Sequence, residues 1–90
     1  MNIAEFSYRA ESEDHWKIGC IRLGEYCFDF EAKVYDSGSM FGINEGRISK
    51  LFVSKKGSKK LLLCYDRGWA VKPRGDLAKI LLSIVLKEFE

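Results

Sequence analysis

One proline, one histidine and three cysteines are all this chain has of the residues that stiffen linkers, bind zinc and staple small domains. With Pro73 alone, and no Pro-, Gly- or Ser-rich tract, nothing divides the 90 residues, so 1–90 reads as a single domain. Cys20, Cys27 and Cys64 are odd in number, form no C-x-x-C pair and lie in apolar or alternating segments. Buried, reduced thiols are expected, in keeping with a cytoplasmic location. A zinc site lacks ligands when His15 has no paired cysteines beside it, so neither a metal nor a cofactor is expected. No apolar run approaches the roughly 20 residues of a membrane-spanning helix. Residues 1–11 lack the basic-then-apolar order of a secretory signal, so no membrane association is expected.

Core-forming residues, by contrast, are plentiful. Apolar types make up 47% of the chain and aromatics 13%, a composition that excludes disorder and allows one modest core. The net charge of +2 conceals a gradient. Residues 1–46 carry nine acids against four bases, and residues 47–90 carry eleven bases against four acids. Unless folding interleaves the halves, one face is basic and suits an anionic partner.

Residues 26–35 alternate strictly: Tyr26, Phe28, Phe30, Ala32 and Val34 on one side, Cys27, Asp29, Glu31, Lys33 and Tyr35 on the other. That is the period of a strand with one buried and one wet face. Residues 16–23 read as its hairpin partner across Gly24-Glu25, with a change of phase after Cys20 and a bulge expected at Gly19. Residues 4–10 alternate too and are a candidate edge strand. After a turn-rich loop over 36–46, residues 47–55 and 61–71 read as two more strands, the second bent near Asp66–Gly68. Asp76 is the expected N-cap of a helix from Leu77 onward. The expected architecture is α+β: an antiparallel sheet of four or five strands packed against one C-terminal helix.

That helix is unusually apolar. Lys79, Ser83, Lys87 and Glu90 form one narrow polar stripe, leaving an apolar arc of about 240° where a sheet needs roughly 100–140°. Leu82, Leu86 and Phe89 lie on one flank of it. Either the N-terminal segment covers that flank, or a second molecule does, a homodimer included.

Catalysis finds little support. His15 sits in an acidic turn, Asp29 and Glu31 read as surface charge on a wet sheet face, and no nucleophile–base motif is present, so the chain is not expected to be an enzyme. Gly38, Gly42 and Gly46 do not form a phosphate loop, because Gly46-Arg47 leads into a strand rather than a helix. Lys55, Lys56, Lys59 and Lys60 surround Gly57-Ser58 and could meet a nucleic-acid backbone, although no aromatic or Arg residue interleaves them. The alternative is a solvated turn whose lysines guard strand ends. Tyr65-Asp66-Arg67-Gly68-Trp69 is either a locked bend packed beneath the helix or a recognition patch of hot-spot residue types.

Three blocks, residues 28–36 (FDFEAKVYD), 39–51 (SMFGINEGRISKL) and 65–69 (YDRGW), resemble an uncharacterised family of small proteins from Gram-positive bacteria and their phages. The resemblance spans about residues 16–73; Ala70 stands where an acidic residue is expected. It implies a phage or mobile-element setting and no activity. The expected function is therefore a protein-interaction domain that binds or inhibits a host or defence protein. Its candidate contacts are Leu82, Leu86 and Phe89 on the helix, and Asn44, Arg47, Asp66, Arg67 and Trp69 with Gly42 and Gly46 at the loop and corner. Nucleic-acid binding through Lys55, Lys56, Lys59 and Lys60, aided by Arg47, Lys50 and Arg67, is the alternative.

Overall fold

Six strands follow one another in a meander and one helix crosses a single face of the sheet they form. The computed structural model describes residues 5–11 and 15–89, with the side chains of 7–11 left aside. The facing of Tyr8 and Ala10, the acidic turn over 12–14 and Glu90 of the helix stripe lie outside the described residues. The strands are β1 (Glu5–Glu11), β2 (Trp16–Leu23), β3 (Tyr26–Val34), β4 (Ile48–Lys55), β5 (Leu61–Asp66) and β6 (Trp69–Val71), followed by α1 (Gly75–Phe89). Every neighbouring pair is antiparallel. The α+β class and the C-terminal helix stand, but the strand count is six rather than four or five. The edge strand over 4–10 forms, and the expected strand over 61–71 splits in two. Arg67 causes that split: its left-handed backbone (φ 57°) reverses the chain between Asp66 and Trp69.

Alternation decides what each strand buries. Phe28, Phe30, Ala32 and Val34 of β3 face inward, opposite Ile21 on β2 and Leu51 and Val53 on β4. Burying each large apolar side chain contributes roughly 1.5–3 kcal/mol. Tyr26 shares their parity, yet it is 57% exposed at the strand's start. The register of β2 against β3 runs unbroken, so Gly19 is not bulged there. The irregularity lies instead in β1, between Tyr8 and Ala10, opposite Gly19 and Ile18. Strand β2 keeps the expected facing on either side of Cys20. It carries apolar residues on both faces: Ile21 and Leu23 inward, Trp16, Ile18 and Cys20 on the face away from the helix. Cys20, Cys27 and Cys64 all fall on that uncovered face and are half-buried and free, not core thiols as expected.

In α1, Ala78, Leu81, Val85 and Phe89 form the buried stripe at helical spacing. Asp76, the expected cap, lies instead within the first turn, because the helix begins at Gly75. Phe6 of β1 covers the C-terminal flank: its ring meets Phe30 and Phe89 edge-on at 5.6 and 5.8 Å. The N-terminal segment is thus the cover for Phe89, which is only 6% exposed. Among the described residues, no helix is long and apolar enough to cross a membrane.

Candidate functional site

A β-bulge shapes the site. Lys33 stands opposite Lys50 and Val34 opposite Ile48, which leaves Ser49 as the extra residue of β4. The bulge lets Ile48 and Leu51, three residues apart, both face the core, which strict alternation forbids. Ser49 is 5% exposed, and its hydroxyl has no hydrogen-bond partner. Its carbonyl accepts the Arg67 N–H at 2.9 Å, and this bond holds the β5–β6 turn against the bulge.

The same register sets Lys33 directly across from Lys50, and Lys50 across from Asp66. Two lysines opposite each other repel and destabilise a sheet unless something intervenes. Lys33 is partly accommodated by the rings of Tyr35 and Trp16, whose centroids lie 5.5 and 5.9 Å from its Nζ. Lys50 Nζ lies 3.7 Å from Asp66 Oδ1, and Arg67 Nε lies 3.9 Å from the same oxygen. Both separations exceed those of a tight charge-assisted hydrogen bond. One carboxylate is therefore loosely shared by two cations.

The loop between β3 and β4 closes the site's rim. It folds tightly on itself: a Cβ on Gly42 would sit 1.9 Å from the Gly46 carbonyl oxygen, and one on Gly38 would sit 2.5 Å from that of Glu45. These glycines serve close backbone approach, not phosphate cradling. Ile43 plugs the core from this loop, with Asn44 and Glu45 both left-handed beside it. Tyr65 donates its hydroxyl to the Phe41 carbonyl at 2.9 Å, which ties the loop to β5. Between loop, bulge and turn lies a half-open cavity of about 520 Å³, lined by Lys33, Lys50 and Arg67, by the hydroxyl residues Ser37, Ser39 and Ser49, and by Tyr35 and Phe41. Among the described residues, its walls carry cations and hydroxyls but no carboxylate, imidazole or thiol. Among the described residues, no three His, Cys, Asp or Glu side chains come together as metal ligands.

Of the expected contacts, Arg67 lines this cavity and Asp66 borders it. Arg47 lies behind it, its Nε donating to the Tyr35 carbonyl at 2.8 Å, and Asn44 is exposed on the short 3-10 turn Ile43–Glu45. Trp69 packs edge-on against Tyr65 at 5.1 Å and lines a separate groove with Leu62 and Ala78. Phe89 is inside the core, and Leu82 and Leu86 pack half-buried against it; the exposed apolar positions of the helix are Leu77 and Ile80. Lys55, Lys56, Lys59 and Lys60 lie at the opposite end of the sheet, with Lys55 Nζ 5.3 Å from the ring centroid of Tyr26. An aromatic neighbour thus reaches the lysines from the next hairpin. Ser49, Lys33, Tyr35 and the loop serines were not singled out as contacts from sequence. Their convergence depends on cross-strand register, which no local pattern reports.

A family model described as "Domain of unknown function (DUF7678)" matches residues 15–90. The chain belongs to this family. The DUF7678 match begins beside His15 and spans β2 to the end of α1, so both the cavity and the helix lie within it. No curated protein and no solved structure matches the chain.

Proposed function

We propose that this DUF7678 protein is a non-enzymatic, cytoplasmic protein-interaction domain whose contact surface is the cationic corner made by β3, β4 and the β5–β6 turn. The observation that carries the reading is the meeting of Lys33, Lys50 and Arg67 at one half-open cavity rimmed by a loop. Recognition residues are commonly held on loops by a rigid scaffold, and arginine is enriched among binding hot spots. Arg67 adds a second support. It is held left-handed, a conformation that costs a non-glycine residue roughly 1–2 kcal/mol, at the place where its side chain reaches the cavity. The helix is the lesser candidate, since Phe89 is spent on the core. A phage or mobile-element origin, with a host or defence protein bound or blocked, rests on the resemblance of the three sequence blocks alone.

Affinity capture from bacterial lysate, comparing the wild-type chain with a Lys50→Glu/Arg67→Glu variant, tests the reading. A protein retained by the wild type and lost from a folded variant is expected. Identical retention by both overturns it.

One observation favours a second reading at the other end of the sheet. Tyr26, exposed beside Lys55, offers a stacking surface next to four lysines, the combination a single-stranded nucleic acid uses. Oligonucleotide binding that weakens steeply with salt and disappears when the four lysines become alanine would support it.

A further inference from the structure

We infer that the cavity between the Ser49 bulge and the Arg67 turn is a phosphoryl-binding site, and that its ligand is a phosphorylated side chain of the partner protein; this rests on the protein-interaction reading above.

Three features of the cavity ask for an anion. Lys33 and Lys50 face each other across neighbouring strands, an arrangement that an anion seated between them would turn from repulsive to attractive. Arg67 contributes a third cation, and the Asp66 carboxylate sits too far from Lys50 and Arg67 to satisfy either fully. Ser49 supplies the independent observation: it lines the cavity, is almost wholly buried, and its hydroxyl lacks any partner. A buried hydroxyl without a partner is costly unless a bound group completes it.

The charge count points to phosphoryl rather than carboxylate. Among the described residues, three cations less Asp66 leave a local charge of +2. A phosphoryl monoester carries about −1.5 to −2 at neutral pH and presents three strong acceptor oxygens. A carboxylate would leave about half of that positive charge unmatched and offers one oxygen fewer. The hydroxyls of Ser37 and Ser39 on the rim are further donors for such a group. At about 520 Å³ the cavity exceeds a bare phosphate and leaves room for the side chain that bears it.

The test is a titration of the ¹⁵N-labelled full chain, followed by amide shifts, with inorganic phosphate, a phosphoserine peptide, its unphosphorylated twin and a nucleoside monophosphate. Saturable shifts at Ser49, Lys50, Arg67 and residues 37–39 are expected, with the phosphopeptide bound most tightly. Lys50→Gln and Arg67→Gly should each weaken binding about tenfold, the loss of one charge-assisted contact. Arg67→Gly suits the native turn, so its failure to bind would not reflect unfolding. The variant with Lys55, Lys56, Lys59 and Lys60 changed to alanine should bind phosphate as the wild type does. Absence of saturable shifts, or equal binding of both peptides, overturns the inference. Tighter binding of the nucleotide than of the phosphopeptide overturns the protein source. The two readings separate in lysate. A partner lost on phosphatase treatment supports both, whereas one lost only from the Lys50→Glu/Arg67→Glu variant leaves the interaction reading standing and removes this one.

Discussion

Gly42 is the position where a single atom matters most. Its missing Cβ is what allows the Gly46 carbonyl to approach, so Gly42→Ala must push the loop apart. A destabilisation of about 1–3 kcal/mol is expected from such overpacking, read as a lower urea midpoint. Gly68→Ala is the control. Nothing lies within 4 Å of its would-be Cβ and its φ is not left-handed, so a change within about 0.5 kcal/mol is expected. Ser49 behaves in the opposite sense. Because its hydroxyl is buried and unpartnered, Ser49→Ala should raise stability by about 1 kcal/mol in phosphate-free buffer and lower affinity for phosphate. A residue that improves the fold when removed, yet harms binding, is kept for the ligand.

Individual elements were legible to different degrees. The alternation over β3 and the helical spacing of α1 depend only on neighbours along the chain, and both appear where expected. The reversal near Asp66–Gly68 was legible as a bend, but not as a split of residues 61–71 into β5 and β6, because Arg67 gives no sign in sequence of taking a left-handed backbone; Gly68 beside it is the residue that draws attention. The helix left two readings for the flank at Leu82, Leu86 and Phe89, cover by the N-terminal segment or by a second molecule, and Phe6 arrives from the far end of the chain and closes over Phe89. Phe89→Ala should therefore cost about 3–5 kcal/mol in thermal or urea unfolding, as for other large core truncations. Ile80→Ser, on the exposed side of the same helix, should change stability by no more than about 0.5 kcal/mol.

Taken as a whole, the meander separates two basic regions. Lys50 and Lys55 sit on one strand, and five residues of strand span about 16 Å. The lysines of the β4–β5 turn therefore cannot share a compact ligand with Lys33, Lys50 and Arg67. The basic excess of the second half of the chain lies largely in connections: Lys56, Lys59 and Lys60 in one turn, Arg67 in another, Lys72 and Arg74 ahead of the helix. Changing Lys55, Lys56, Lys59 and Lys60 to alanine should leave the urea midpoint within about 0.5 kcal/mol of wild type, since all four side chains are exposed. It should abolish any salt-sensitive oligonucleotide binding, measured by fluorescence anisotropy at two ionic strengths.

Residue order along the chain was enough to establish a two-faced β3 strand, an apolar C-terminal helix, a turn at Gly24-Glu25, a connection between strands over residues 56–59, and the α+β class. Each of these is a local property, set by side chains two to four positions apart. The cationic cavity belongs to another kind of information. Lys33 meets Lys50 because the register that pairs Phe28 with Lys55 runs unbroken as far as them, the bulge at Ser49 shifting only the pairing beyond, and Arg67 reaches them because its turn hydrogen-bonds to that bulge. Register depends on how two distant strands bury their apolar faces together, so it emerges when the sheet assembles and not before.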